Sequence, residues 1–142
     1  NRRNKIDVLV HGSEPELKVI SDNRKIFEEL GVFVPINSAE VIELCMDKIK
    51  TMELLKSKGF NVPEYFLISS IEDIEKVDIF PVVCKPHVGG GGSNNTFIAQ
   101  DKKELRLITD YLLNYLESFI AQEYIGTYED EFTAGVLTDL ER

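Results

Sequence analysis

Lys85 closes the apolar run Phe80-Pro-Val-Val-Cys-Lys85. After Pro86-His-Val88 comes a run of four glycines, Gly89, Gly90, Gly91 and Gly92, followed by Ser93. Successive glycines expose backbone N–H groups, and N–H groups exposed in series make a concave site for anions such as phosphate. A lysine at the end of the adjoining strand adds a fixed positive charge to that spot. A lysine placed directly after Val-Val-Cys also needs an anion nearby to make its shelter tolerable. In a chain of formal net charge −9, a local site that collects anions points to a nucleotide.

The flanks of the glycine run decide what kind of phosphate loop it is. A P-loop carries its lysine at the end of the loop and runs into a helix. Here the lysine comes first, and Ser93-Asn94-Asn95 leads into a strand. A dinucleotide fingerprint also needs strand, loop and helix, so it fails for the same reason. What remains is strand, glycine loop, strand: a hairpin whose tip can fold over a triphosphate, as the glycine-rich loop of a kinase does. The plain alternative is a hairpin turn with no ligand.

Other segments must hold that hairpin. Residues 6–11 and 32–36 read as short strands on either side of a helical stretch, broken at Ser21-Asp22-Asn23 and stopped by Gly31. A crossover this short suggests a parallel βαβ layer. Asn37-Ser38 caps a helix over residues 39–46, and a second helix runs from about Asp47 to Lys58 and ends at Gly59. Residues 62–68 form a strand whose early Pro63 suits an edge or a strand start. Ser70 caps a short helix over 71–77. Strands over 81–85 and 96–99 flank the glycines. Asp101 starts a helix through about Leu116, and strands over 119–125 and 131–137 follow, joined by a polar turn. The pattern changes near residues 37–46, from alternating strand and helix to strand pairs mixed with helices.

The totals fit this reading. The chain has 142 residues, 43% hydrophobic and 29% charged, an ordinary balance for one core or a small domain with part of another. The 25 acidic residues against 16 basic ones repel polyanions, so no nucleic-acid partner is expected. No apolar run spans a bilayer and no signal peptide is read at the N-terminus, so a cytoplasmic protein without membrane contact is expected. Cys45 and Cys84 are read as two buried or half-buried thiols, Cys84 as a strand thiol and not a nucleophile. His11 and His87 are read as structural or exposed, with no metal-ligand spacing between them.

The ordered series Asp47-Lys48, Val62-Pro63, Phe80-Pro-Val-Val-Cys-Lys-Pro86, the glycines, Gln122-Glu-Tyr-Ile125 and Glu131-Phe-Thr133 resembles the ATP-grasp superfamily. The nearest likeness is to its carbamoyl-phosphate-synthase-like and carboxylate–amine ligase branch. The resemblance covers nearly the whole chain and implies an α/β and α+β fold. Residues 1–38 would be the end of a Rossmann-like pre-ATP-grasp domain, and residues 39–142 the N-terminal, ATP-binding part of an ATP-grasp domain. It also implies roles. Lys48 would reach the ATP phosphates from a helix start, and Lys85 would contact the α-phosphate and adenine edge. Gly89, Gly90, Gly91, Gly92 and Ser93 would close on the β- and γ-phosphates. Glu123 and the backbone around Tyr124 and Ile125 would read the adenine, and Glu131 would hold the ribose hydroxyls. The chemistry of these groups suits the roles: lysines are point charges for phosphate oxygens, hinge backbone can pair with a base edge, and a carboxylate accepts two adjacent hydroxyls.

The family implies Mg²⁺ or Mn²⁺ held by an acidic residue and a Glu-x-Asn pair on later strands. The chain therefore reads as a fragment, with metal expected only in the full-length protein and no catalytic residue assigned. Its expected partners are ATP, a small carboxylate and the remainder of the ATP-grasp domain. The expected activity of the parent is ligation: a carboxylate activated as an acylphosphate and attacked by an amine. The alternative is a non-catalytic adenine-nucleotide-binding regulatory module.

Overall fold

The computed structural model describes residues 5–89, 94–130 and 132. Four of the described α-helices begin where short polar side chains take up free backbone donors. The Ser13 hydroxyl accepts from the Glu16 N–H at the start of α1 (Glu14–Asp22), where Pro15, Glu14 and Glu16 suit the first turn. The helix breaks at Asn23, whose side-chain amide donates to the Val19 carbonyl at 2.8 Å, and the chain resumes as α2 (Arg24–Glu29). Ser38 caps α3 (Ala39–Met46) by accepting from the Val41 N–H. Asp47 both ends α3 and caps α4 (Lys48–Ser57), its Oδ1 accepting from Ile49 N–H at 3.0 Å and Lys50 N–H at 3.3 Å. The expected strands over 6–11 and 32–36 are reduced to one parallel bridge, Val8 with Phe33, made by two 2.9 Å backbone bonds. Their apolar character gave the strand reading, yet Val8, Val10 and Phe33 are exposed among the described residues. Two extended segments alone do not sustain a ladder.

Four strands form one antiparallel sheet in the order β1-β4-β2-β3: β1 (Tyr65–Ile68), β2 (Val82–Lys85), β3 (Phe97–Ala99) and β4 (Phe119–Glu123). β2 and β3 pair as the two arms of the hairpin, Val82 opposite Ala99 and Cys84 opposite Phe97. The hairpin expected around the glycines is therefore present at its base. β4 comes last in sequence but inserts between β1 and β2, pairing with both. β1 starts at Tyr65 and not at Val62, and Pro63, lacking an N–H, lies outside the ladder.

One face of the sheet is covered by α5 (Lys102–Leu112) and by the 3₁₀ turn Ile71–Lys76. Ile68, Ile74, Val82, Leu105, Leu112 and Phe119 are fully buried in that core. Asp101 caps α5 with 2.8 and 2.9 Å bonds from Lys103 and Glu104 N–H. The helix stops at Leu112, short of the expected Leu116. The chain continues through irregular turns that still tuck Leu113 and Leu116 against the core. The strand expected over 131–137 lies outside the described residues. Cys84 is buried, and burial pushes its thiol up to about 12. Cys45, expected at least half-buried, is exposed instead, because the covered side of α3 is carried by Ile42. Among the described residues no helix is long and apolar enough to cross a membrane.

Candidate functional site

Strand alternation sorts the residues of β2. Val82 and Cys84 point into the core, so Val83 and Lys85 point to the opposite face. The register sets Gln122 opposite Val83 and Ile120 opposite Lys85, so these four share that second face, on which Ile120 is fully buried and the other three are half-buried. Lys85 is half-buried there. Its pKa is held below the usual lysine value, first by desolvation and second by the charge of Lys48.

Lys48 comes from a different element, the first turn of α4, and the backbone explains how it arrives. The Lys48 N–H donates to the His87 carbonyl at 2.8 Å, and the Gly89 N–H donates to the Met46 carbonyl at 3.2 Å. Between them, Asp47 and Val88 form an antiparallel bridge. The α3–α4 junction is thus stitched to the stem of the glycine hairpin. The Lys48 ammonium then donates to the Gly89 carbonyl at 2.7 Å. Gly89 has φ of 65°, a conformation that favours glycine, so the stem turns there because a side chain is missing. Among the described residues neither lysine forms an ion pair with a carboxylate. Two cations converge on one sheltered corner, which is the electrostatic requirement for holding a phosphate chain.

The end of β4 forms the other side of the site. The Glu123 N–H donates to the Glu64 carbonyl at 2.8 Å, and the Glu123 carboxylate accepts from the Glu64 N–H at 3.2 Å. The Tyr124 N–H donates to the Pro81 carbonyl at 3.1 Å. Among the described residues the Ile125 N–H takes no partner, and the Ile125 side chain is exposed. Gly126, at φ 80°, then turns the chain, and Asp130 closes the next turn by accepting from Thr127 N–H and Oγ1 at 2.9 and 2.7 Å.

Of the residues singled out in the sequence, Lys48, Lys85 and Gly89 are brought together, and Glu123, Tyr124 and Ile125 lie at the end of the strand beside β2. Gly90, Gly91, Gly92, Ser93 and Glu131 lie outside the described residues. The Glu123 side chain sits opposite Val82, on the helix-covered side of the sheet, and so faces away from Lys85. Gln122 faces the Lys85 side and was not singled out; the signal for it was the alternation of β4 read together with its pairing to β2. Among the described residues no three His, Cys, Asp or Glu side chains gather as a cation cage. They do not fit by themselves the Mg²⁺ or Mn²⁺ that the resemblance implies.

Comparison with known proteins bears on the family and the fold. The model of the ATP-grasp domain matches residues 45–141. The chain belongs to the ATP-grasp domain family. A D-alanine–D-alanine ligase of Clostridium botulinum is 31% identical over 107 residues, which is 72% of this chain and 33% of that protein. The structure of a D-alanine–D-alanine ligase from Bacillus anthracis complexed with ATP superposes with a TM-score of 0.64 at 23% identity, covering 87% of this chain and 40% of the other. An L-amino acid ligase from Bacillus licheniformis superposes with a TM-score of 0.60 at 26% identity, covering 80% and 25%. This chain spans about a third of the length of the curated relatives it matches. The mixed helix-and-sheet fold expected from the sequence is the fold of this family.

Proposed function

We propose that this chain is the nucleotide-binding part of an ATP-dependent carboxylate–amine ligase. The observation that carries the reading is the convergence of Lys48 and Lys85, from two elements, at the stem of the glycine hairpin. In the free protein the two ammonium groups repel, and a bound triphosphate turns that repulsion into attraction. Lys48 and Lys85 then hold phosphate oxygens, Gly89 anchors the stem through its own N–H bond to the Met46 carbonyl, and Gly90, Gly91, Gly92 and Ser93 donate backbone N–H groups to the outer phosphates. Val83 and Ile125 lie against the base, the Ile125 N–H and the backbone beside Glu123 and Tyr124 meet its edge, and Gln122 adds a side-chain amide on the same face. Glu131 takes the ribose hydroxyls. Residues 1–38 belong to the preceding α/β domain and residues 39–142 to the grasp domain.

The relatives favour the carboxylate–amine ligase reading over the carbamoyl-phosphate-synthase-like one, because those named above are amino-acid ligases. In the whole protein a carboxylate oxygen of the substrate attacks the γ-phosphorus and the bond to ADP breaks. The amine then attacks the acyl carbon and inorganic phosphate leaves, its own proton passing to solvent or to a base. This chain's share is binding, orientation and charge neutralisation, worth most in a sheltered site.

Calorimetric titration with ATP, with GTP as the control, tests the binding arm: saturable heat with ATP and a clear preference over GTP are expected. Absence of heat and of any thermal stabilisation by ATP overturns it. For the whole protein, phosphate release from ATP that depends on an added amino acid tests the ligase arm.

A further inference from the structure

His87 stands at the meeting point of three segments and has no place in the binding roles above. Its carbonyl accepts the Lys48 N–H at 2.8 Å, the donor of the first residue of α4 that the helix itself leaves unsatisfied. Its ring lies between two other elements. Nε2 is 3.1 Å from the Ser118 hydroxyl, just before β4 begins. Nδ1 is 3.7 Å from Oδ1 of Asp47, the cap of α4, and is buried with no hydrogen-bond partner among the described residues. A buried ring nitrogen beside a carboxylate is best served by carrying its proton there, which leaves Nε2 to accept from Ser118. One imidazole therefore spans the α4 cap, the end of β2 and the entry to β4.

We propose that His87 is a positioning residue: it braces the stem of the glycine hairpin between Asp47 and Ser118, and so fixes the spacing of the Lys48 and Lys85 ammonium groups. The stem leaves β2 at Lys85, reaches His87 two residues later and is stitched to α4 at Lys48. A ring wedged at that point sets the approach of one lysine to the other. Without it the backbone bonds remain, but the corner they enclose can open. The functional half of this inference rests on the nucleotide reading proposed above; the mechanical half does not.

The test uses the full chain and two readouts. In His87→Ala, hydrogen exchange at the Lys48 and Gly89 amides should accelerate by about tenfold while the amides of the β1–β4 ladder are unchanged. ATP affinity should fall by a comparable factor. His87→Gln, whose amide can still meet Ser118 and offer an N–H toward Asp47, should restore most of both. Ser118→Ala removes one side of the brace, should show a smaller change of the same sign, and serves if His87→Ala does not fold. Unchanged exchange at Lys48 and Gly89 overturns the proposal. So does equal acceleration across the whole sheet, which would mean that His87 merely supports the fold. If the unmutated chain takes up no ATP, the nucleotide reading fails, and the exchange measurements still decide the brace.

Discussion

Replacing Lys85 with Met should move folding and nucleotide binding in opposite directions. Methionine keeps the unbranched stem and fills the same half-buried space, but carries no charge. In the free protein the Lys85 ammonium is disfavoured by desolvation and by Lys48, so its folded pKa lies below its unfolded one. Wherever the group is charged in both states, the whole cost falls on the folded state. Removing the charge should therefore raise the urea midpoint at pH 7. That advantage should shrink as pH rises through the lowered folded pKa toward the unfolded value of about 10.4, because the wild type then sheds the proton. Binding should respond the other way. A charge-assisted hydrogen bond lost from a sheltered site costs about 1.5–3 kcal/mol, and about 1.4 kcal/mol is a tenfold change, so the ATP dissociation constant should rise roughly ten- to a hundredfold. Urea melts at pH 7 and 10, with calorimetry on the same samples, read both effects. An unchanged dissociation constant refutes Lys85 as a phosphate ligand. A lower midpoint at pH 7 refutes the electrostatic argument, since it means that the ammonium is stabilised by a partner.

Other consequences follow from burial and capping. Phe119→Ala empties a fully buried ring position at the start of β4 and should cost about 3–5 kcal/mol in urea unfolding, whereas a midpoint close to wild type would place the core elsewhere. A thiol reagent at pH 8 should label exposed Cys45 within minutes and leave Cys84 untouched until denaturant is added. Because Cys84 is held up to about 12 in the folded state, its contribution to stability is present below the unfolded pKa of about 8.5 and is lost as pH climbs from there toward 12. The Asp73 carboxyl is held down to about 2, chiefly by Lys76 and then by the Ser69 N–H. Its contribution is present above the unfolded value of 3.8 and is lost as pH falls toward about 2. Asp73→Asn should accordingly flatten the acid limb of the stability curve; an unchanged limb would detach Asp73 from acid unfolding.

The helices were legible because their ends are written locally. Ser38 and Asp47 fix the start of α3 and α4 through one side-chain oxygen each, and Gly59 stops α4 with φ of 83°. The hairpin arms were legible for a similar reason, since the apolar residues of β2 directly precede the glycines. What could not be read was anything that depends on a distant partner. The N-terminal segments look like strands by composition, but a ladder is a property of neighbours, and only Val8 and Phe33 bridge. The insertion of β4 between β1 and β2 is likewise a matter of long-range pairing, with no trace in the spacing of Phe119 to Glu123.

That insertion is also what sorts the candidate site. From the sequence, Gln122 and Glu123 are adjacent polar residues at the end of an apolar strand, and a carboxylate draws attention before an amide does. Once β4 lies against β2, the period of two leaves no freedom: Gln122 shares a face with Val83 and Lys85, and Glu123 shares one with Val82. Glu123 ties its own N–H and carboxylate to Glu64, the residue just before β1. The division of labour is testable by exchange of roles. Gln122→Ala should weaken ATP binding with little change in stability, and Glu123→Ala should lower stability and affect ATP only through the hinge. The reverse pattern would mean that the register, and with it the whole assignment of the Lys85 face, is wrong.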